Sequence, residues 1–340
     1  MLLLRTISIS RSRLLRAFAL TLIAAMGALQ LGSQSTASSV AFSSAPAWGQ
    51  DGQLSGYVYG LNANQISLHI YEFIPDLGWF QMSGCGPISI PGTGQFSINA
   101  APNLIDRYAT RYSAYLVPSS LSVPCSQELA SVPFIVTHNA LASTTLPRLP
   151  QDPTLSFGGL TWNIKSPPVQ VYPGPQFYQQ NNAFVDAAGQ LHLRLSQCSG
   201  SWCAAEIYTR DVVGYGTYRF TINSQLNALD PNVTLGLFPW DGEASDESNR
   251  EWDIEFGRWG NANATANAQY VVQPYNAPNN LNQFLMSPAA VSTHSVTWLP
   301  NQLTFSSSAG PPGGGGALIY QWNYPGSVSQ IPTPGDGHLV

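Results

Sequence analysis

Glu251, Trp252, Asp253, Ile254, Glu255 and Phe256 follow one another in this chain. On a β-strand successive side chains project to opposite faces, so Glu251, Asp253 and Glu255 share one side and Trp252, Ile254 and Phe256 the other. Three carboxyl groups in a row repel one another, and strands are depleted in Asp and, less so, in Glu. A solvated edge strand tolerates acids but has little use for Trp, Ile and Phe on its opposite face. The pattern therefore predicts a strand anchored in a core, presenting its carboxyl groups for chemistry. Cleavage of a glycosidic bond with retention needs two such groups about 5 to 5.5 Å apart, one attacking the anomeric carbon and one protonating the leaving oxygen. The α-carbons of Glu251 and Glu255 lie ~13 Å apart along a strand, a gap that two glutamate side chains leaning together over a concave sheet largely close. Asp253 between them can hydrogen-bond the nucleophile and keep negative charge near Glu255, which raises the pKa of a proton donor.

The strand resembles the Glu-x-Asp-x-Glu strand of glycoside hydrolase family 16 in its unbulged, lichenase-like form. Flanking segments match in the same order. Gly214-Tyr215-Gly216-Thr217-Tyr218 is similar to the family's Tyr-Gly-x-Tyr strand, Ala268-Gln269-Tyr270 to its Val-Gln-Phe segment, and the run from His294 to Trp298 and Pro300 to its later His-to-Trp-x-Pro strand. The resemblance covers roughly residues 155–340. It implies an all-β, concanavalin-like β-jelly roll of two stacked antiparallel sheets, without a cofactor or metal. It also implies retaining hydrolysis of β-glucans and related β-linked polysaccharides, with Glu251 as nucleophile, Asp253 as assisting acid and Glu255 as acid/base. By the same order Glu206, Phe238 and Trp240 fall where the family contacts sugar, and Gln269 lies on the neighbouring strand. Trp259, just past the acid strand, either stacks on sugar or caps the sheet. Two positions depart from the family. Trp252 is bulkier than the usual Ile or Leu, and Tyr208 stands where lichenase-like members often carry Arg, so the exact substrate stays open.

Short strands separated by Gly, Pro, Asn and Asp turns must position these residues. In the second half they are expected at 158–164, 191–195, 206–208, 216–222, 233–238, 251–256, 268–273, 295–299 and 303–306. No helical periodicity of useful length follows residue 41. The glycine run 310–316 reads as a loop, since neither a Lys nor a helix follows it. The acidic loop 241–247 lacks the ligand spacing of a calcium site and reads as a solvated rim. Upstream, strands are expected at 54–59, 66–73, 95–99, 112–117, 134–137 and 143–146, the pattern of a small β-sandwich spanning 54–146. It resembles the accessory sandwich that precedes glucanase-like domains in some bacterial secreted proteins. Trp79 is its candidate sugar-stacking residue. Pro147, Pro150 and Pro153 recur at every third place and mark an extended boundary between the two regions.

Composition narrows the partners. A net charge of −5 with only 9% charged residues leaves no basic surface for nucleic acid, while 15 Tyr and 9 Trp suit neutral ligands. Arg5, Arg11, Arg13 and Arg16 precede an apolar run at 17–31, which is shorter than the ~20 residues of a spanning helix. Residues 1–41 therefore read as a secretory signal peptide and leader, with small-residue cleavage sites after Ala37, Ala41 or Ala47. The released protein, in the medium, periplasm or cell envelope, is expected to be a monomer without a membrane span. Cys85, Cys125, Cys198 and Cys203 make an even set, and locality pairs the first two and the last two as disulfides. Zinc is disfavoured because neither pair has Cys-x-x-Cys spacing and no His cluster accompanies them.

Rival readings are a lectin or an envelope structural protein on the same fold, neither of which needs aligned acids. A serine hydrolase lacks its Gly-x-Ser-x-Gly elbow, and the scattered His residues do not suit metal-dependent hydrolysis. The sequence ends at Gly337-His338-Leu339-Val340, where a strand is beginning. The resembling family carries a further Asn-x-Trp segment and a closing strand, so a C-terminal truncation is expected.

Overall fold

The computed structural model describes residues 38–340, apart from 61–64, 76, 126, 172, 174–175, 199, 243, 245–247 and 249, together with the backbone of residues 2–10. The fold is an all-β sandwich architecture. The chain divides into two compact units, one running to Pro150 and the other joining Gln151–Val340 to the strand β1 (Leu2–Ser10).

The first unit holds β2 (Ser39–Ser44), β3 (Gln53–Tyr59), β4 (Ile66–Ile74), β5 (Gly78–Gln81), β6 (Gln95–Asn99) and β7 (Arg111–Pro118). A short helix α1 (Phe134–His138) and β8 (Ala142–Pro147) complete it. Strands β2-β3-β6 form one antiparallel sheet and β5-β4-β7-β8 the other. Alternation drives their stacking: Leu54 and Val58 of β3 are buried against Leu68, Tyr112 and Leu116 of the facing sheet, while Tyr57 and Tyr59 point to solvent. A disulfide joins Cys85 to Cys125.

Two expectations for this unit change. The run 134–137 is helix α1 and not a strand. Pro133 sets the helical start, its carbonyl accepts from the Val136 and Thr137 amides (2.9 and 3.2 Å), and only Val136 is buried. Residues 39–44, read as leader and lead-in, form β2, with Val40 packed in the core. Ala41 thus lies inside β2, and cleavage after Ala41 or Ala47 would cut or remove that strand, whereas cleavage after Ala37 would spare it. Ala37 itself and the apolar run 17–31 lie outside the described residues. The boundary also shortens. Pro147 closes β8, and the buried Arg148 donates to the carbonyls of Ala47 (2.7 Å), Ala109 (3.1 Å) and Arg107 (3.2 Å). Among the described residues no helix is long and apolar enough to cross a membrane.

The second unit begins with β9 (Thr154–Phe157), β10 (Leu160–Ile164), β11 (Phe177–Tyr178), β12 (Ala183–Val185) and β13 (Leu191–Leu193). A hairpin of β14 (Ser196–Cys198) and β15 (Ser201–Ala204) is closed by the Cys198–Cys203 disulfide. Next come β16 (Ile207–Thr209), β17 (Gly216–Ile222), β18 (Leu235–Leu237), β19 (Pro239–Trp240), β20 (Trp252–Phe256) and β21 (Ala268–Val272). The last are β22 (Leu281–Phe284), β23 (Ser292–Leu299), β24 (Gln302–Ala309), β25 (Leu318–Asn323) and β26 (His338–Leu339).

One layer is the seven-stranded sheet β12-β13-β1-β17-β23-β24-β25. The other carries the acids in β18-β20-β21-β22. It extends sideways because β19 pairs with β26, and β26 bonds β16: His338 Nδ1–H donates to the Thr209 carbonyl (2.7 Å) and the Leu339 amide to Thr209 Oγ1 (2.9 Å). From β16 the layer continues through β10 to β9. Between the layers, Trp252, Ile254, Phe256 and Tyr270 of the acid-bearing sheet meet Tyr218, Phe220, Trp298 and Phe305 of the other. Leu2–Ser10, the start of the segment read as a leader, pairs with β13 on one side and β17 on the other. Its alternation of Ile7 and Ile9 with Thr6, Ser8 and Ser10 serves a strand as well as an export signal.

Candidate active site

Strand β20 is built as its alternation requires. Trp252, Ile254 and Phe256 are wholly buried between the layers, and Glu251, Asp253 and Glu255 lie on the opposite face. In an antiparallel ladder, directly opposed residues share a face. Glu255 faces Gly236 of β18 and Gln269 of β21. A Cβ on Gly236 would sit 3.0 Å from the Phe238 ring, so glycine there lets Phe238 pack beside the carboxyl row. Leu235, Leu237 and Pro239 are buried while Gly236, Phe238 and Trp240 are half-buried, which puts the latter three on the face that carries the acids.

The carboxyl groups are held in two hydrogen-bonded sets, one around Glu251 and Asp253 and one around Glu255, coupled to each other by charge. Glu251 and Asp253 bond each other through their side chains. Gln273 Nε2 donates to Asp253 Oδ2 (3.1 Å). Gln269 Nε2 donates to Glu255 Oε2 and is itself oriented by Gln283 Nε2, which donates to Gln269 Oε1 (3.1 Å). The Trp259 indole donates to Glu255 as well. Trp259 sits at φ 46° in the turn after β20, a conformation that aims its ring back at the strand it has just left.

Burial raises all three acids. Glu251 is pushed up to about 7, chiefly by desolvation, with the charge of Glu255 adding and the Asp253 hydrogen bond opposing. Asp253 is raised well above the usual carboxylate range by desolvation and then by Glu251. Glu255 is raised by desolvation, against the donors on Gln269 and Trp259, which favour its charged form. Desolvation is therefore the leading cause at Glu255, where sequence reasoning invoked the charge of Asp253. A coupled trio of this kind gives up its protons one after another, so it can offer an ionised nucleophile beside a protonated acid.

The segment leading into Glu251 is clamped. Asp241, expected on a solvated rim, is buried, forms an ion pair with Arg250 Nε (2.9 Å) and accepts the Asp336 amide (3.0 Å). Arg250 Nη1 donates to the carbonyl and the Oγ1 of Thr333 (3.2 and 2.8 Å). A Cβ at Gly335 would fall 2.2 Å from Asp241 Oδ2, so only glycine lets the C-terminal segment close over this pair.

Of the residues singled out from sequence, Glu251, Asp253, Glu255, Gln269 and Trp259 come together on one face, Glu251 bonded to Asp253 and Glu255 to Gln269 and Trp259, with Phe238 and Trp240 along the next strand. Glu206 stands apart from them. It flanks β16 on the same side of the layer as Tyr208, and its carboxylate is paired with Lys165 Nζ at 2.9 Å. That ammonium lies over the Tyr178 ring, 4.6 Å from its centroid. Tyr208 donates to Asp152 Oδ2 (2.5 Å), so the place expected for an Arg in the resembling family holds a neutral donor tied to an acid. Sequence reasoning missed Gln273 and Gln283. A single Gln in a strand or turn carries no periodic signal, and only the register of β21 and β22 brings these two to the acids.

The chain matches no family model, no curated protein and no solved structure.

Proposed function

We propose that this chain is a retaining endo-glycosidase acting on a β-linked polysaccharide of the β-1,3- or mixed-linkage glucan type. One observation carries the reading: three carboxyl groups, Glu251 and Asp253 buried and Glu255 half-buried, share one face of a core-anchored strand, the first two bonded to each other and all three set among amide and indole donors. Glu255, whose pKa burial raises, gives its proton to the glycosidic oxygen as the bond breaks. Glu251 attacks the anomeric carbon and forms a glycosyl ester. Asp253 shares a proton with Glu251 and keeps the attacking oxygen aligned. Water, deprotonated by the now anionic Glu255, then displaces Glu251 and restores both groups. Phe238 and Trp240 offer aromatic faces beside the cluster for a neutral sugar ring. Export of the protein is supported by its two disulfides, which persist in oxidising compartments.

The test is incubation with laminarin, mixed-linkage glucan and xyloglucan while the anomeric protons of new reducing ends are followed by NMR. The β-anomer is expected first, on a glucan substrate. Release of the α-anomer first would overturn the mechanism, and binding without any cleavage would favour a lectin on the same fold.

Gln269→Leu carries a pH signature. The Gln269 donor stabilises the Glu255 carboxylate, so its removal raises the pKa of Glu255. Glu255 must be protonated to act, so the alkaline limb of kcat/KM moves to higher pH, while the acid limb, set by ionisation of Glu251, stays in place. An alkaline limb that moves down would contradict the assignment of Glu255 as the acid.

A further inference from the structure

Trp79, the residue of the first unit expected to stack on sugar, packs against Phe73 with 5.3 Å between ring centroids and lies under the Arg111 guanidinium. The open face of the β2-β3-β6 sheet is different in kind. Tyr57 and Tyr59 project from it, exposed, with ring centroids 6.1 Å apart and planes only 24° from parallel. The register sets a row beside each ring: Ala41 and Gln95 flank Tyr57, and Ser39 faces Tyr59. Further along, Ser44, Ser55 and Ser97 form one row and Gln53 with Asn99 the next. Every side chain in these rows is uncharged. Three of the polar ones are ordered by one another, since Ser55 and Ser97 share a hydrogen bond (3.0 Å) and Ser97 donates to Gln53 Oε1 (3.1 Å).

We infer that this face is a second polysaccharide-binding surface, a platform on which the stacked pair Tyr57 and Tyr59 packs against sugar rings of one neutral glucan chain while the Ser, Gln and Asn rows bond its hydroxyls. The absence of charge is what selects the occupant. A nucleic acid, an acidic peptide or a lipid headgroup needs cations that these rows do not contain. A chain of neutral sugars presents what the platform matches: apolar ring faces for the tyrosines, and hydroxyls for amide and hydroxyl side chains. The two rings form a stacked pair on one strand, and the polar rows continue from them across the sheet, so the surface suits an extended polymer and not a single sugar. The choice of ligand rests on the proposed polysaccharide substrate, but the platform does not depend on hydrolysis.

The test uses the full chain carrying Glu251→Gln, so that cleavage does not erode the ligand. Adsorption to insoluble β-glucan is measured for this protein, for the same protein with Tyr57→Ala and Tyr59→Ala, and with Tyr57→Phe and Tyr59→Phe. The double Ala protein is expected to lose at least about tenfold in affinity, equivalent to ~1.4 kcal/mol, and the double Phe protein to stay within about threefold, because the ring face is what stacks. In the otherwise wild-type chain the double Ala change should leave turnover of short soluble oligosaccharides unaltered. Equal adsorption of all three proteins overturns the platform while leaving hydrolysis intact as a separate question. Equal loss in the Phe and Ala proteins overturns the stacking. A dimer in sedimentation that the Ala changes abolish, with adsorption unaffected, would assign the face to a second copy of the chain instead.

Discussion

Glu251→Gln and Glu255→Gln should each lower turnover of soluble β-glucan on the order of 10⁴-fold, with the fold and the affinity for sugar retained. Both substitutions keep side-chain volume and remove an ionisable group from a buried face, so neither opens a cavity. Azide separates the roles. In Glu251→Ala the space left by the carboxylate admits azide, which attacks the anomeric carbon from the side Glu251 used, while Glu255 still protonates the leaving oxygen. The product is the α-glycosyl azide. In Glu255→Ala an aryl glycoside with a good leaving group still forms the ester on Glu251, and azide displaces that ester from the opposite side to give the β-glycosyl azide. The same anomer from both variants, or undiminished activity in either, would sink the assignment. Asp253→Asn should cost less than either, because it removes a partner of the nucleophile and leaves the nucleophile itself.

The acid strand was legible because its two faces differ so sharply: carboxyl groups alternate with Trp, Ile and Phe, and burial of that apolar face follows directly. Strands β17, β23 and β24 were legible for the same reason, each long enough to repeat its pattern. Strands β11, β14 and β19 were not, since two or three residues cannot display a period and their pairing is decided by distant neighbours. Cysteine pairing followed from locality because one bridge spans a single turn and the other, across 40 residues, stays within the first unit. What sequence could not supply was direction. Trp259 reaches Glu255 only through a positive-φ backbone, and Asp241 is buried only because Gly335 lets the C-terminal segment approach it. Leu2–Ser10 illustrates a genuine degeneracy, since basic and apolar residues near a terminus satisfy the rules for a leader and the alternation of a strand at once.

Trp252→Ala should be the most destabilising single change in the second unit, at about 3 to 5 kcal/mol. The indole is fully buried and touches aromatic rings from three strands of the other layer: Tyr218 at 5.5 Å, Trp298 at 6.2 Å and Phe305 at 6.3 Å between centroids. It therefore joins the layers directly beneath Glu251 and Asp253. A residue bulkier than the Ile or Leu of the resembling family fits here because those rings form an aromatic cage that a smaller side chain would leave unfilled. The indole Nε1 is buried without an acceptor among the described residues, so its N–H contributes desolvation cost and no bond. Trp252→Phe removes that cost while keeping most of the volume, and should lose less than about 1.5 kcal/mol. Calorimetry of the full chain checks this. The transition of the second unit should fall steeply with Ala and slightly with Phe, while that of the first unit stays in place. Activity should follow the same order, because the carboxyl groups on either side of Trp252 keep their alignment only while the strand beneath them is held. A loss under about 1 kcal/mol with Ala would mean that the layers are held together elsewhere and that the acids do not depend on the residue between them.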